Sequence, residues 1–190
     1  RKEFPDVRIS VDTYWSDVVR KAYDAIGDFI VNDISAGEDD PQMLPLVGRL
    51  GLTYVAMHKR GTPQTMQSMT DYEDVTSEVA DYFSDFSDRA GQSGVRDWIL
   101  DPGFGFAKTL EQNYQLMRDL SRFKASFPSR KLLVGVSRKS MVYRLLGITP
   151  EESLPATQVL HLHALQNGAD ILRVHDVEQA VQTVSLYRML

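Results

Sequence analysis

The chain has 190 residues, of which 43% are hydrophobic and 25% are charged, a composition typical of one ordinary globular domain. Its formal net charge of -5 argues against a surface that binds nucleic-acid backbone, because there is no basic excess to release counterions. The chain contains no cysteine, which excludes disulfides and thiolate metal sites, and no apolar run approaches the ~20 residues of a membrane span. We therefore expect a cytoplasmic protein that binds neither membrane nor nucleic acid.

Six short apolar runs, each ended by a polar residue, alternate with segments whose apolar residues recur at helical spacing. The runs predict strands at residues 7–12, 29–32, 52–58, 98–101, 132–137 and 171–175. Glycine, the usual residue just past a helix end, precedes four of them, as Gly27, Gly51, Gly94 and Gly168. The intervening segments predict amphipathic helices at residues 17–26, 43–50, 78–86, 113–123 and 141–147. This alternation indicates a parallel sheet with helical crossovers.

All six predicted strands end in polar side chains, and this distinguishes two kinds of parallel sheet. An open sheet binds its ligand at one switch point, whereas every strand of a closed barrel ends at one central mouth. We therefore predict an α/β fold of the TIM-type (β/α)8 barrel class. A complete barrel has eight strands and typically ~250 residues. The chain is thus expected to be one incomplete barrel domain, residues 1–190, with about six β/α units that correspond to strands 3 to 8.

The stretch ILDPGFGFAKT, residues 99–109, resembles a phosphate-binding loop but does not fit its pattern. Such a loop needs G-x-x-x-x-G-K-[ST], and here the spacing is one residue short, with Ala107 in place of the second glycine. Asp101, which ends the apolar run, has two readings. It either caps the turn or accepts hydrogen bonds from a ligand.

Other strand ends carry residues with the same ambiguity. Asp12 and Asn32 are either turn formers or acceptors that converge with Asp101 on a small heterocycle rich in N–H donors. The SRKS segment, residues 137–140, is either a solvated basic turn or an anion site at a helix start. Arg173 and His175 lie two residues apart, which would place them on one side of an extended strand as a second anion site.

Three histidines and one long loop are weaker candidates for a functional role. His58 is a candidate pocket wall, while His161 and His163 are expected on a helix that faces a neighbour or solvent. Residues 58–74, rich in Gly, Pro, Ser and Thr, predict a long functional or mobile loop. No H-E-x-x-H or EF-hand pattern indicates a metal cage built by the protein alone.

Five segments, SVDTY, NDISAG, DPGFGFAKT, GVSRKS and ILRVHDV, together resemble the dihydropteroate synthase family of folate biosynthesis. The resemblance implies a barrel enzyme, a transferase that condenses (7,8-dihydropterin-6-yl)methyl diphosphate with 4-aminobenzoate and releases diphosphate. It also implies a homodimer, a sulfonamide target and Mg²⁺, bound mainly through the substrate diphosphate and an asparagine that this chain lacks. No metal ligand is expected within the chain itself.

The resemblance also assigns roles to individual residues. Pterin-binding residues would be Asp12, Asn32, Met57, Asp101, Phe106, Gly135 and Lys139. Ser140 would bind the aminobenzoate carboxylate, and Arg173 and His175 the diphosphate, while Lys139, Arg173 and His175 would be catalytic.

The chain departs from the family at Ala107, where glycine is usual, and lacks the first two β/α units. We therefore expect it to keep a pterin pocket but to have little synthase activity alone. Two rival readings stay open. One is a pterin-binding methyltransferase domain, which the SRKS and RVHD segments disfavour because a methyl donor carries no diphosphate. The other is a non-catalytic pterin- or folate-binding protein or fragment.

Overall fold

The computed structural model describes residues 3–61, 65 and 68–190. Within them six strands alternate with eight helices: β1 (Ser10–Asp12), α1 (Ser16–Ile26), β2 (Ile30–Asp33), α2 (Met43–Leu50), β3 (Thr53–Met57), α3 (Val75–Gln92), β4 (Trp98–Asp101), α4 (Leu110–Arg118), α5 (Leu120–Ser126), β5 (Lys131–Val134), α6 (Ser140–Leu146), α7 (Leu154–Gln166), β6 (Ile171–Leu172) and α8 (Val177–Tyr187). All six predicted strands and the predicted alternation are confirmed.

Several predicted boundaries need correction. β6 ends at Leu172, not at residue 175, and β1 begins at Ser10, not at residue 7. The predicted helix at 113–123 is two helices that meet at Asp119. α3 begins before residue 78 because the Asp74 carboxylate accepts a hydrogen bond from the Thr76 N–H at 3.0 Å, which caps its first turn.

The chain divides into two compact units, whose boundaries fall just after β3, inside α3 and inside β4. The first unit contains the residues up to His58 together with Asp81–Leu100, and the second contains Lys59–Ala80 and Asp101–Leu190. The assignment of the whole chain to one domain stays a prediction. Of the predicted 58–74 loop, residues 62–64 and 66–67 lie outside the described part.

In the first unit the strands lie in the order β1-β2-β3-β4, so sequence neighbours are sheet neighbours. β1, β2 and β3 are parallel, with Asp12 beside Asn32 and Asn32 beside Val55. Aromatic rings fill the core of this unit: the Phe86 ring packs edge-on against Trp98 at 4.9 Å between centroids and stacks on Tyr54 at 5.9 Å. Burial of these rings dominates the packing energy of the unit.

In the second unit β5 and β6 are parallel, with Leu133 beside Ile171 and Val134 beside Leu172. Fully buried side chains from α4, α5 and β5 form its core, among them Leu116, Leu120, Phe123 and Leu132. No helix in the described ranges is both long enough and apolar enough to cross a membrane.

Candidate active site

Asp101 is a buried carboxylate at the carboxyl end of β4. Its side chain is 6% exposed, and its Oδ1 accepts a hydrogen bond from the Gly103 N–H at 2.9 Å. Pro102, which follows it, favours an extended backbone at Asp101 and ends the strand there. Both readings of Asp101 are therefore compatible, since the carboxylate caps the turn with one bond and retains lone pairs for a ligand.

The backbone after Asp101 makes a tight turn with alternate residues in the left-handed region. Gly103, Gly105 and Ala107 have φ of 69°, 83° and 49°. The Phe106 N–H donates to the Gly103 carbonyl at 3.1 Å, and the Gly105 N–H donates to Asn113 Oδ1 at 2.7 Å. Glycine adopts this conformation at little cost, whereas Ala107 adopts it with strain, so the departure from the family pattern affects this turn directly.

Lys139 reaches this turn from the segment between β5 and α6, in the next β/α unit. It is the residue before α6, and its ammonium donates a hydrogen bond to the Phe104 carbonyl. The ammonium also lies 5.0 Å from the centroid of the Phe106 ring, within the range of a cation–π interaction. Asp101, Phe106 and Lys139, three of the residues that the resemblance assigns to the pterin, thus lie close together within the second unit, and their pterin roles stay predictions.

Electrostatics links the carboxylate and the ammonium. Burial raises the pKa of Asp101, while Lys139, the Gly103 N–H, Arg173 and Lys108 oppose that rise. Burial likewise lowers the pKa of Lys139, and the charge of Asp101 opposes that fall. Each group therefore stabilises the charged form of the other at a site shielded from water.

Arg173 and His175 lie beyond the end of β6 and are exposed. The prediction that both belong to the strand is wrong, because the ladder ends at Leu172 and the Ser137 Oγ accepts the His175 N–H at 3.2 Å. Arg173 still donates its N–H to the Val134 carbonyl at 2.9 Å. This bond holds the backbone of Arg173 beside the end of β5.

Gly135 and Ser140 also lie in this part of the second unit. A Cβ at buried Gly135 would lie 3.6 Å from the Cβ of Arg173, so glycine lets the two backbones approach. Ser140 is half-buried and opens α6. Arg138 forms a two-point ion pair with Asp176, at 2.8 and 2.5 Å, so the charge of this residue of the SRKS segment is already paired within the protein.

The first unit holds the other predicted pterin residues. Asn32 is buried at the end of β2, and its Nδ2 donates to Oδ1 of the exposed Asp12 at 2.5 Å. Met57 and His58 are buried at the end of β3, with the His58 ring edge-on to Tyr82 at 4.8 Å. Asp12 and Asn32 are thus in contact with each other, and the pterin roles of Asp12, Asn32 and Met57 stay predictions.

Asp33, the residue after Asn32, organises the turn that follows β2. Its carboxylate accepts hydrogen bonds from the Ser35 N–H and Oγ, both at 2.7 Å, and from the Gly37 N–H at 3.0 Å. The hydroxyl of fully buried Tyr54 donates to the same carboxylate at 2.5 Å. Burial and the charge of Asp33 raise the pKa of Tyr54, so this hydroxyl stays a donor.

Replacement of Tyr54 with phenylalanine should lower the free energy of unfolding by about 2 kcal/mol, because a buried carboxylate loses a charge-assisted hydrogen bond. Urea unfolding of the purified chain measures this change. Tyr14→Phe, which removes an exposed hydroxyl, is the matched control and should change stability little. Equal stability of the two variants would show that Asp33 does not need this donor.

Sequence reasoning missed Lys108 and Asn113, which both support the turn after Asp101. Asn113 donates from Nδ2 to the carbonyls of Lys108 at 3.2 Å and Thr109 at 2.7 Å. One available signal was the T-x-x-Q pattern of Thr109 and Gln112, which forms a capping box at the start of α4. That signal fixes the start of the helix and places Lys108 directly before it, at the end of the turn.

The two histidines that were expected on a helix both lie on α7. His161 is fully buried on α7, with its Nδ1 3.2 Å from Gln158 Oε1. The Nε2 of His163 lies 3.1 Å from the Met117 carbonyl of α4, a helix neighbour. Neither belongs to the group around Asp101.

Comparison with known proteins gives this arrangement a family. The family of pterin-binding enzymes matches residues 1–175 of the chain. The chain belongs to this family. The resemblance to pterin enzymes drawn from the five sequence segments is therefore confirmed.

Dihydropteroate synthases are among the proteins most similar to this member of the family. The enzyme of Synechocystis sp. is 44% identical over 181 residues, which cover 93% of this chain and 61% of that protein. The Yersinia pestis dihydropteroate synthase, in a crystal structure with a sulfonamide drug complex, is 34% identical with a TM-score of 0.91 over 97% of this chain and 66% of that one. The Thermus thermophilus enzyme, solved with 4-aminobenzoate, is 35% identical with a TM-score of 0.90 over 97% of this chain and 74% of that one.

These comparisons confirm the predicted fold class, a TIM-type α/β barrel of which this chain carries six β/α units. The chain spans 61% of the length of the Synechocystis relative and 63% of that of the Escherichia coli relative.

The predicted Mg²⁺ finds no cage of protein ligands in the described residues. They bring together no group of three or more His, Asp or Glu side chains that could hold an ion. The Mg²⁺ and its binding through the substrate diphosphate stay predictions.

Proposed function

We propose that this chain supplies the pterin-binding part of a dihydropteroate synthase. Such an enzyme condenses (7,8-dihydropterin-6-yl)methyl diphosphate with 4-aminobenzoate to give 7,8-dihydropteroate and diphosphate. The observation that carries the proposal is the buried Asp101 carboxylate, with the Lys139 ammonium and the Phe106 ring on the turn beside it. Family membership and the similarity to dihydropteroate synthases support it independently.

This arrangement is chemically complementary to a pterin. The aminopyrimidine edge of the pterin presents adjacent N–H donors, and a carboxylate accepts such a pair through strong charge-assisted bonds. The ring carbonyl and ring nitrogens of the pterin are acceptors. The Lys139 ammonium can donate to them if it gives up its hydrogen bond to the Phe104 carbonyl. Phe106 offers an aromatic surface next to this ammonium for the flat ring.

The proposed reaction breaks the bond between the pterin methylene carbon and the diphosphate oxygen, and the electron pair leaves with diphosphate. The amine of 4-aminobenzoate attacks the cationic methylene carbon and loses a proton as the C–N bond forms. Arg173, whose fork of donors suits phosphate oxygens, and His175 are assigned to the diphosphate, and Ser140 to the aminobenzoate carboxylate. The protein contributes positioning and electrostatic stabilisation, without a side-chain nucleophile.

A chimera tests the proposed activity. In it, this chain replaces the matching 181-residue segment of the Synechocystis relative. We expect the chimera to form dihydropteroate and diphosphate in equal amounts, whereas the isolated chain binds pterin and forms little product. A chimera that melts cooperatively and binds pterin but forms no dihydropteroate would overturn the synthase proposal and favour a non-catalytic pterin-binding protein.

A further inference from the structure

Lys108 closes the turn that presents Phe106. Its side chain is 5% exposed, and its ammonium donates hydrogen bonds to the carbonyls of Gly103 at 3.1 Å and Phe106 at 3.2 Å. These carbonyls lie at the two ends of the turn, so one side chain ties both ends together. Burial of a long cationic side chain is costly unless its donors are paired, and here two backbone carbonyls accept hydrogen bonds from the ammonium.

The same turn is bound to Asp101 on its other side. The Gly103 N–H donates to Asp101 Oδ1 at 2.9 Å, while the Gly103 carbonyl accepts from Lys108 at 3.1 Å. Lys139 holds the carbonyl between these ends, that of Phe104. Hydrogen bonds to one carboxylate and two ammonium groups therefore hold the turn. Asp101 and Lys108 both bond to the backbone of Gly103, so a change at Lys108 would reach Asp101 through that one residue.

Charge links Lys108 and Asp101 as well. The charged groups that act on Asp101 are Lys108, Lys139 and Arg173, all of which favour its ionised form. The groups that act on Lys108 are Asp101, Lys139 and Arg60. Burial, reinforced by Lys139 and Arg60 and opposed by Asp101, lowers the pKa of Lys108 to about 7, so Lys108 carries its charge below that pH.

We propose that Lys108 is a positioning residue of the pterin site, which holds the Gly103–Phe106 turn in its binding shape and whose positive charge keeps Asp101 ionised for the ligand. The proposal rests on the proposed function, because it assigns a role within the same site. It gives the lysine of the GFAKT segment a function other than phosphate binding. Lys108 acts on backbone carbonyls and on a carboxylate.

The test is the affinity for a dihydropterin, measured by calorimetry as a function of pH, for the unmodified chain and three variants. Lys108→Met removes the donor and the charge, Lys108→Gln removes the charge and keeps N–H donors on a shorter side chain, and Lys131→Met removes an exposed lysine of β5 as the matched control. Affinity should fall on the acid side as Asp101 takes up a proton. Both Lys108 variants should move this acid limb to higher pH, and Lys108→Met should weaken binding about tenfold at the optimum pH.

Three outcomes separate the possibilities. A folded Lys108→Met chain with unchanged affinity and an unmoved acid limb would overturn the positioning role and leave the proposed function intact. Failure of the unmodified chain to bind any pterin would overturn both. If Lys108→Met does not fold, the carboxyl pKa of Asp101, measured by NMR in Lys108→Gln without ligand, decides: a rise supports the proposal and an unchanged value contradicts it.

Discussion

Replacement of Gly48 with alanine should lower the free energy of unfolding by about 3 kcal/mol or more, the upper range for overpacking. Gly48 lies inside α2, and a Cβ there would lie 2.0 Å from the carbonyl oxygen of Ser93 and 2.9 Å from the carbonyl carbon of Gly94. Both are backbone atoms, so relief requires a shift of the helix or of the segment after α3. The loss is a large share of the ~5–15 kcal/mol that stabilises a typical domain.

Gly91→Ala is the matched control for this prediction. Gly91 lies near the end of α3, and a Cβ there would meet no atom within 4 Å. Alanine is the better helix former by about 1 kcal/mol, so this variant should equal or exceed the unmodified chain in stability. Urea unfolding and thermal melts compare the two, and the Gly48→Ala midpoint should fall by about 6–12 °C. A Gly48→Ala chain as stable as Gly91→Ala would contradict the close approach of α2 to this segment.

Asp101→Asn should weaken binding of a dihydropterin about 100-fold, since hydrogen bonds to a charged group contribute about 1.5–3 kcal/mol each. The amide can keep the bond from the Gly103 N–H through its oxygen. Its NH₂ group then faces the N–H donors of the pterin, which leaves donors opposed to donors. The fold should therefore survive while recognition is lost. Calorimetric titration measures the affinity, and a thermal melt confirms that the variant is folded.

The control for Asp101→Asn is Asp88→Asn, which makes the same change of charge at an exposed position on α3. It should bind pterin as the unmodified chain does, because an exposed charge outside the site contributes little. The pH dependence gives a second check. Burial raises the pKa of Asp101, so binding should weaken as the pH falls through that raised value, and Asp101→Asn should abolish this dependence. Equal affinities for the two variants would exclude Asp101 from the site.

The sequence predicts the strands well where local signals agree. β4 has the predicted bounds, because Gly94 precedes its apolar run and Pro102 ends it. The end of β6 was not predictable, because it depends on a partner more than thirty residues away. There the Ser137 side chain, in place of a β5 carbonyl, accepts the His175 N–H.

In the candidate site too, features that depend on tertiary contacts could not be predicted from local sequence. Asp101 was identifiable as a candidate because it ends an apolar run and is followed by Pro102, and the structure places it, buried, at the end of β4. Lys108 was not, because the pattern around it indicates only a failed phosphate-binding loop, and its burial follows from packing that the sequence does not display. Gly48 is a third case. Inside a helix, glycine is unfavourable by propensity, and only the closeness of the Ser93 backbone explains why a side chain is excluded there.

The most direct test of the central claim is a crystal structure of this chain with a 7,8-dihydropterin bound. We predict that the aminopyrimidine edge donates to the Asp101 carboxylate, that the ring lies against Phe106, and that the Lys139 ammonium bonds to the ligand in place of the Phe104 carbonyl. A pterin bound elsewhere, or one whose N–H edge makes no hydrogen bond to Asp101, would contradict it.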